Sequence, residues 1–302
     1  MLIRRRVGLE ITPRSVRVAV VRRFVGRDWV ERYQEARLAP GVFVPAWERE
    51  NVRQEEAFRT SLRRALAAAG ARRARVRLVL PDLTARLRIL ESERPPVDSG
   101  SLHNYAAWRL QDDVLPTGVR AAPVFYMNGH PTHGYLAVLT AAGAAIAQIE
   151  RLVLAAGAKP VRITSLAAVL FNFTDRALAG QWGKTAVLLA VAEPGATLIV
   201  ASHGVPVFVR TFRSTWAKTV GSGAAAGLGG DVAATLEYCL ERGMNSPERI
   251  LLAGESAHVS GLAKALGQHI GIPCSLAEPN ARLLRHGRVP PDGIGALAAA
   301  VC

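Results

Sequence analysis

Cysteine is scarce: the 302 residues contain Cys239, Cys274 and Cys302, an odd number without metal-ligand spacing. A disulfide framework and a zinc cluster are therefore excluded, and a reducing compartment fits. No run of about eighteen uninterrupted apolar residues occurs, so no transmembrane helix is expected. The most apolar candidate, Ala137–Ile149, is too short and stops at Glu150. Met-Leu-Ile-Arg-Arg-Arg leads straight into strand-like sequence, so no signal peptide is expected and the chain reads as soluble and cytoplasmic. Acids are also in short supply, with 24 Asp and Glu against 38 Lys and Arg and a net charge of +14.

Catalytic signatures are equally thin. GSGAAAGLGG at 221–230 lacks the Lys-Ser/Thr pair of a Walker loop and the strand-then-helix spacing of a dinucleotide fingerprint. It reads as a flexible linker or a helix-start loop. Ser256 lacks the second glycine of a nucleophile elbow, which excludes a serine hydrolase. His130 and His133 have only Asp112 and Asp113 as nearby acids in sequence, so they read as a turn and not as metal ligands. Phosphoryl transfer needs carboxylates to hold a divalent metal, yet the turns where they belong carry only Glu10, Glu193 and Glu255.

What is present is a globular chain, half of it apolar. Residues 1–94 hold 22 Arg against 11 Asp or Glu, so much of the positive excess sits in the first third. Such a face suits an anionic membrane surface, nucleic acid or plain solvation. No aromatic platform is interleaved with the arginines, and nucleic acid is not the expected partner.

The clearest pattern is Thr185–Arg210, where apolar runs at 186–191, 197–201 and 205–209 alternate with turns at Glu193-Pro194-Gly195 and His203-Gly204. This is a β-meander. A matching unit opens the chain: Arg6–Glu10, a turn at Thr12-Pro13, then Ser15–Arg22 with Val16, Val18 and Val20 in alternation. Two such units predict a duplicated α/β architecture.

Between them, helices are predicted at 55–69 (Phe58, Leu62, Ala65 and Leu66 on one stripe), 100–115, 142–156 and 165–173 with Ser165 as cap. Strands are predicted at 28–37, 77–80, 83–90, 122–127, 134–139 and 159–163. Trp108–Asp113 is a mixed polar and aromatic surface of the kind that docks a peptide, although Trp108 also suits a core. Later, 232–242 is a helix presenting Val232, Leu236, Cys239 and Leu240 on one side, with Glu237 and Glu241 on the polar side. Strand 249–253, helix 259–270, edge strand 273–277 and helix 293–301 follow.

These stretches resemble the PilM-like family, actin-like proteins of type IV pilus assembly, and more distantly components of mannose-sensitive pilus and type II secretion systems. Val7–Arg17 resembles the family's first phosphate loop, Val79-Leu80-Pro81-Asp82 its Val-Pro-Asp strand end, and Ala107–Pro116 the helix running into Ile-Pro. Ala156-Gly157-Ala158-Lys159-Pro160-Val161 resembles its Ala-Gly-Leu-Lys-Pro stretch. Ile250–Leu262 resembles the adenosine-side loop, continued by Gly271-Ile272-Pro273-Cys274.

The resemblance implies an actin-like, ribonuclease H-like duplicated fold. The expected domains are 1–180, with an inserted subdomain at about 77–127, and 181–302, with a last helix free to return to the first domain. It also places a nucleotide site at Glu10, Thr12, Arg17, Ala192, Gly195, Gly254 and Glu255. Glu10 stands for the usual Asp, Thr12 for a loop glycine and Arg17 for Lys. Ala190 and Ala192 replace Asp and Gly, while Glu255 and Ser256 replace glycines. A Cβ in such loops collides with phosphate, so ATP and Mg²⁺ binding is expected to be weak or lost and no other cofactor is expected.

The implied role is a structural adaptor peripheral to the inner membrane, binding the cytoplasmic tail of a PilN-like protein in a groove at 77–127, with pilus motor or platform proteins as further contacts. The alternative is an actin-like ATP-binding protein, an ATPase or a sugar-type kinase.

Overall fold

The computed structural model describes residues 4–24, 27–92, 98–110, 119–127, 134–177, 185–192, 194–213, 222–254, 256–277 and 294–302. Strands β1 (Arg4–Ile11), β2 (Ser15–Phe24) and β3 (Arg27–Arg37) come first, then helix α1 (Glu55–Ala68) and strand β4 (Arg75–Leu80). Next are β5 (Arg86–Ser92), α2 (Ser99–Arg109), β6 (Val119–Met127), β7 (Gly134–Ala142), α3 (Gly143–Ala155), β8 (Lys159–Ser165) and α4 (Leu166–Ala177). The meander β9 (Thr185–Ala192), β10 (Gly195–Ser202) and β11 (Val205–Arg213) leads to α5 (Ser222–Glu241), β12 (Ile250–Gly254), α6 (Ser256–Ile270), β13 (Cys274–Leu276) and α7 (Ile294–Val301).

The chain divides into two compact units: Met1–Ala85 with Ala141–Phe173 and Pro279–Cys302, and Arg86–Thr140 with Thr174–Glu278. The first holds a sheet of order β3-β2-β1-β4-β8 and the second a sheet of order β11-β10-β9-β12-β13. In each, three antiparallel strands run into two parallel ones. The two sheets are one topology used twice, an α/β duplication. A third sheet, β5-β7-β6, packs α2 over Leu136 and Val138 through Ala106 and Leu110.

In the first unit, Val7–Ile11 are buried at consecutive positions, which requires cover on both faces of the sheet. Helix α1 supplies part of it by packing on β2 and β3, burying Phe58, Leu62, Ala65 and Leu66 as their spacing predicts. Each Phe or Leu so buried contributes about 2 kcal/mol. Helix α7 supplies more by lying on β1, β2 and β4 with every residue buried. Its small side chains permit a close approach: a Cβ on Gly8 would fall 1.9 Å from the Ala296 carbonyl oxygen.

Several sequence-based expectations need correction. The 221–230 stretch is not a linker, because α5 already starts at Ser222. Ala224–Ala226 favour helix, and Gly229 is where α5 meets α6, its missing Cβ replaced by the His269 ring. Leu240 does not join the buried stripe of α5; it is 46% exposed, whereas Val232, Leu236 and Cys239 are buried. The strand predicted from Leu83 begins at Arg86, since Asp82–Thr84 form a turn in which the Thr84 amide donates to the Pro81 carbonyl. Helix α2 is described to Arg109 with Leu110 as its cap, and 111–115 lie outside the described residues, as does the histidine turn.

Candidate functional site

The first turn is closed by its own side chain. The Thr12 Oγ1 accepts hydrogen bonds from the amides of Arg14 (3.2 Å) and Ser15 (2.9 Å), and the Thr12 amide donates to the Ser15 carbonyl at 2.9 Å. A threonine that bonds the amides two and three residues on is a stable local motif. It engages the turn amides nearest to where a phosphate loop would present donors.

Glu10, two residues earlier, is 3% exposed. One carboxylate oxygen accepts from the Ala296 amide at 3.1 Å and the other lies 3.8 Å from Arg17 Nη1. Arg17 is 4% exposed, and its Nε donates to Glu35 at 3.1 Å. The strand register explains the series, because Glu10 sits opposite Arg17 and Arg17 opposite Glu35. Cross-strand neighbours of opposite charge attract.

Ala296 is the third residue of α7, so the Glu10 carboxylate occupies the positive end of that helix. At the other end Arg6 donates to the Val301 carbonyl at 2.8 Å, and Arg77 donates to Ala299 at 3.4 Å. Helix α7 is thus held at both ends by charges that complement its dipole. A Cβ on Gly295 would lie 2.5 Å from a Glu10 oxygen, so glycine is what lets the carboxylate reach the helix.

In the second unit, Ala192 ends β9, half-buried, and is paired with Gly195 at the start of β10. Gly254 ends β12 with φ +138°, and a Cβ there would lie 1.9 Å from the Val191 carbonyl oxygen. Its bare face is therefore filled by the neighbouring strand. Ala190, where the family resemblance expects an acid, is a buried core residue. Glu255 and Glu193 lie outside the described residues. Glu10, Thr12 and Arg17 thus gather in the first unit, and Ala192, Gly195 and Gly254 in the second.

Buried polar groups pin the backbone of the first unit: Ser165 caps α4 as its sequence predicts and Asp82, marked by the strand-end resemblance, joins it, whereas Asn51 and Gln148 gave no sequence signal. Asp82 accepts from the Ala167 amide at 3.1 and 3.3 Å at the start of α4, alongside the 3.4 Å bond from the Ala168 amide to Ser165 Oγ. Gln148 Oε1 accepts from the amides of Asn51 and Val52 at 3.1 and 3.0 Å, and its Nε2 donates to the Val52 carbonyl at 2.9 Å. Asn51 in turn holds Ala46 through bonds of 3.1 and 2.8 Å, pinning the loop before α1. Distant backbone partners have no sequence pattern of their own, which is why the roles of Asn51 and Gln148 were not legible.

Among the described residues no three His, Cys, Asp or Glu side chains are placed to hold a metal ion, and no helix is long and apolar enough to cross a membrane. Burial pushes the Cys274 thiol up to about 11, which disfavours its thiolate form. One groove, of about 320 Å³, lies in the second unit between β5 and β11; Ile89, Val207 and Phe208 line it together with Arg86, Arg88 and Arg210. On α2, Trp108 is 58% exposed and tilted against Tyr105 at 5.9 Å.

The sequence matches no protein-family model and no curated protein. Solved structures are similar over the whole chain. A chain of the PilM–PilN type IV pilus biogenesis complex matches with a TM-score of 0.81 and 17% identity, over 98% of this chain and 97% of that one. A Bacteroides thetaiotaomicron protein with an actin-like ATPase fold and unknown function matches at 0.54 and 9% identity, over 99% and 96%. The cytoplasmic domain of EpsL, an inner-membrane component of the Vibrio cholerae type II secretion system, matches at 0.50 and 12%, over 98% and 94%. The chain has the actin-like fold, shared from end to end with a component of a type IV pilus biogenesis complex.

Proposed function

We propose that the protein is a cytoplasmic structural adaptor of a type IV pilus or related secretion platform, binding the cytoplasmic tail of a PilN-like inner-membrane protein. The observation that carries this reading is the full-length similarity to a chain from a PilM–PilN complex. A groove at 77–127 is the proposed seat of the tail. The apolar and cationic lining along β5 and the exposed Trp108 on α2 support that choice, since aromatic and arginine side chains anchor peptides well. The partner holds the protein at the inner membrane, where motor and platform proteins are further contacts.

Nucleotide is not part of the proposed activity. The residues at the first turn do not fit Mg-ATP: Thr12 already engages the Arg14 and Ser15 amides, and the Glu10 carboxylate is engaged by Ala296 and Arg17. A metal ion there would have to displace a buried guanidinium and break the hold on α7. The second reading, an actin-like ATP-binding protein or ATPase, is favoured by the fold alone, and a fold does not fix a function.

Titration of a labelled PilN-like tail peptide, followed by fluorescence anisotropy, tests the adaptor reading. Saturable binding is expected. A flat titration with protein shown to be folded refutes it.

A further inference from the structure

One end of the first-unit sheet is loaded with cations beyond what the fold requires. The register sets Arg4 opposite Arg23, Arg5 opposite Arg22 and Arg75 opposite Lys159. Like charges directly opposite one another destabilise a sheet. Among the described residues, the acids facing these cations are Glu31, at the bulge of β3, which bridges Arg5 and Arg22, and Asp28, opposite Arg23 at 3.9 Å.

The same end continues into the loops after α1 and α3. Arg5 donates to the Gly70 carbonyl at 3.0 Å, which brings β1 to the loop carrying Arg72 and Arg73. The Arg73 amide donates to Gly157 and the Lys159 amide to Ala74, which joins that loop to the start of β8. Arg5 and Arg63 have structural work, since each donates to a carbonyl at the C-terminal end of a helix. Arg32, Arg72, Arg73, Arg75 and Lys159 are exposed on the same end. Arg73 even adopts φ +60°, a conformation unfavourable for a residue of its kind.

We infer that this cationic end of the first unit is a lipid-contacting face that rests directly on an anionic bilayer, independently of the partner tail. An anionic bilayer surface neutralises part of the cross-strand charge repulsion, and each cation near such a surface strengthens binding about fivefold. Among the described residues, strand ends and short loops make up the face, and no helix projects from it. The choice of a membrane over other polyanions rests on the adaptor reading above, which brings the protein to the inner membrane.

Co-sedimentation of the full chain with vesicles, in the absence of any partner, tests the inference. Vesicles of phosphatidylcholine with roughly one third phosphatidylglycerol are compared with phosphatidylcholine alone. The wild type is expected to bind the anionic vesicles only, with binding that falls as salt is raised. The triple variant Arg72→Gln, Arg73→Asn, Arg75→Gln is expected to bind roughly 100-fold more weakly, from three losses of about fivefold each. Asparagine suits the backbone at position 73; circular dichroism and thermal melting of the same variant report whether it is folded, and its tail-peptide titration whether it still binds tail.

Absence of binding to anionic vesicles overturns the inference, and so does binding that the triple variant leaves undiminished. A duplex DNA fragment that binds the wild type while the vesicles do not overturns it in favour of nucleic acid. Failure of the tail titration with vesicle binding intact sinks the adaptor reading and leaves the lipid face standing.

Discussion

Replacing Glu10 by alanine removes the carboxylate that joins β1 to α7, and its cost can be built up from the contacts. The Ala296 amide loses its 3.1 Å acceptor in a buried setting, which costs about 1–3 kcal/mol. Arg17 keeps Glu35 but loses the second carboxylate, so its share falls below the roughly 3–5 kcal/mol of a fully broken buried pair. Together these set the loss near 3 kcal/mol, a fall in melting temperature of roughly 10 °C for a unit of this size. Glu10→Gln keeps the volume and an acceptor for Ala296, and is expected to lose about half as much. Hydrogen exchange localises the effect: in Glu10→Ala the amides of α7 should exchange markedly faster while those of α5 and α6 do not change. An alanine variant that melts within about 2 °C of wild type, with α7 still protected, refutes the clamp.

Gly254→Ala forces a Cβ to within 1.9 Å of the Val191 carbonyl at φ +138° and is expected to cost more than about 3 kcal/mol in urea unfolding. Gly261→Ala, on α6 with open space at its Cβ, is the control and should be neutral or slightly stabilising; equal effects would contradict the packing role of Gly254. Gln148→Leu leaves the amides of Asn51 and Val52 and the Val52 carbonyl without their partner, and a loss of about 3 kcal/mol is expected. A loss under about 1 kcal/mol by chemical denaturation would show that water or relaxation replaces it. The Glu31 carboxyl is held below its ordinary value of 4.5 chiefly by the hydrogen bond from Arg22, against desolvation and with help from Arg5. Because the folded value is the lower one, its contribution is complete above 4.5 and fades as the pH falls through the folded value. The stability gap between wild type and Glu31→Gln should therefore shrink on acidification from that point, and a gap that grows instead would reverse the sign.

The meanders were legible because period-two and continuous apolar runs sat between turn residues, and Thr185–Arg210 became β9, β10 and β11 almost to the residue. Helix α1 was legible for the same reason at a different period. Glycine content misled at 221–230, where the residues serve helix packing against His269 and not a loop. At the site, Glu10 and Arg17 could be picked out as candidates, but what engages Glu10 could not. Its partner is a backbone amide 286 residues away, on a helix whose alanines and glycines have no chemical signature. Asn51 and Gln148 were opaque for the same physical reason, since they bond mainly to main-chain groups fixed only by the tertiary fold; Asp82 was marked by the strand-end resemblance, but its partner, the Ala167 amide, was not.

At the first turn Thr12 engages the nearby amides and Glu10 is committed to Arg17 and α7, which the proposed function takes as loss of a nucleotide site. Calorimetric titration of the intact protein with Mg-ATP tests it most directly. The account predicts no saturable heat up to roughly millimolar nucleotide, a binding free energy weaker than about 4 kcal/mol. Saturable micromolar binding that Glu10→Gln abolishes would contradict it.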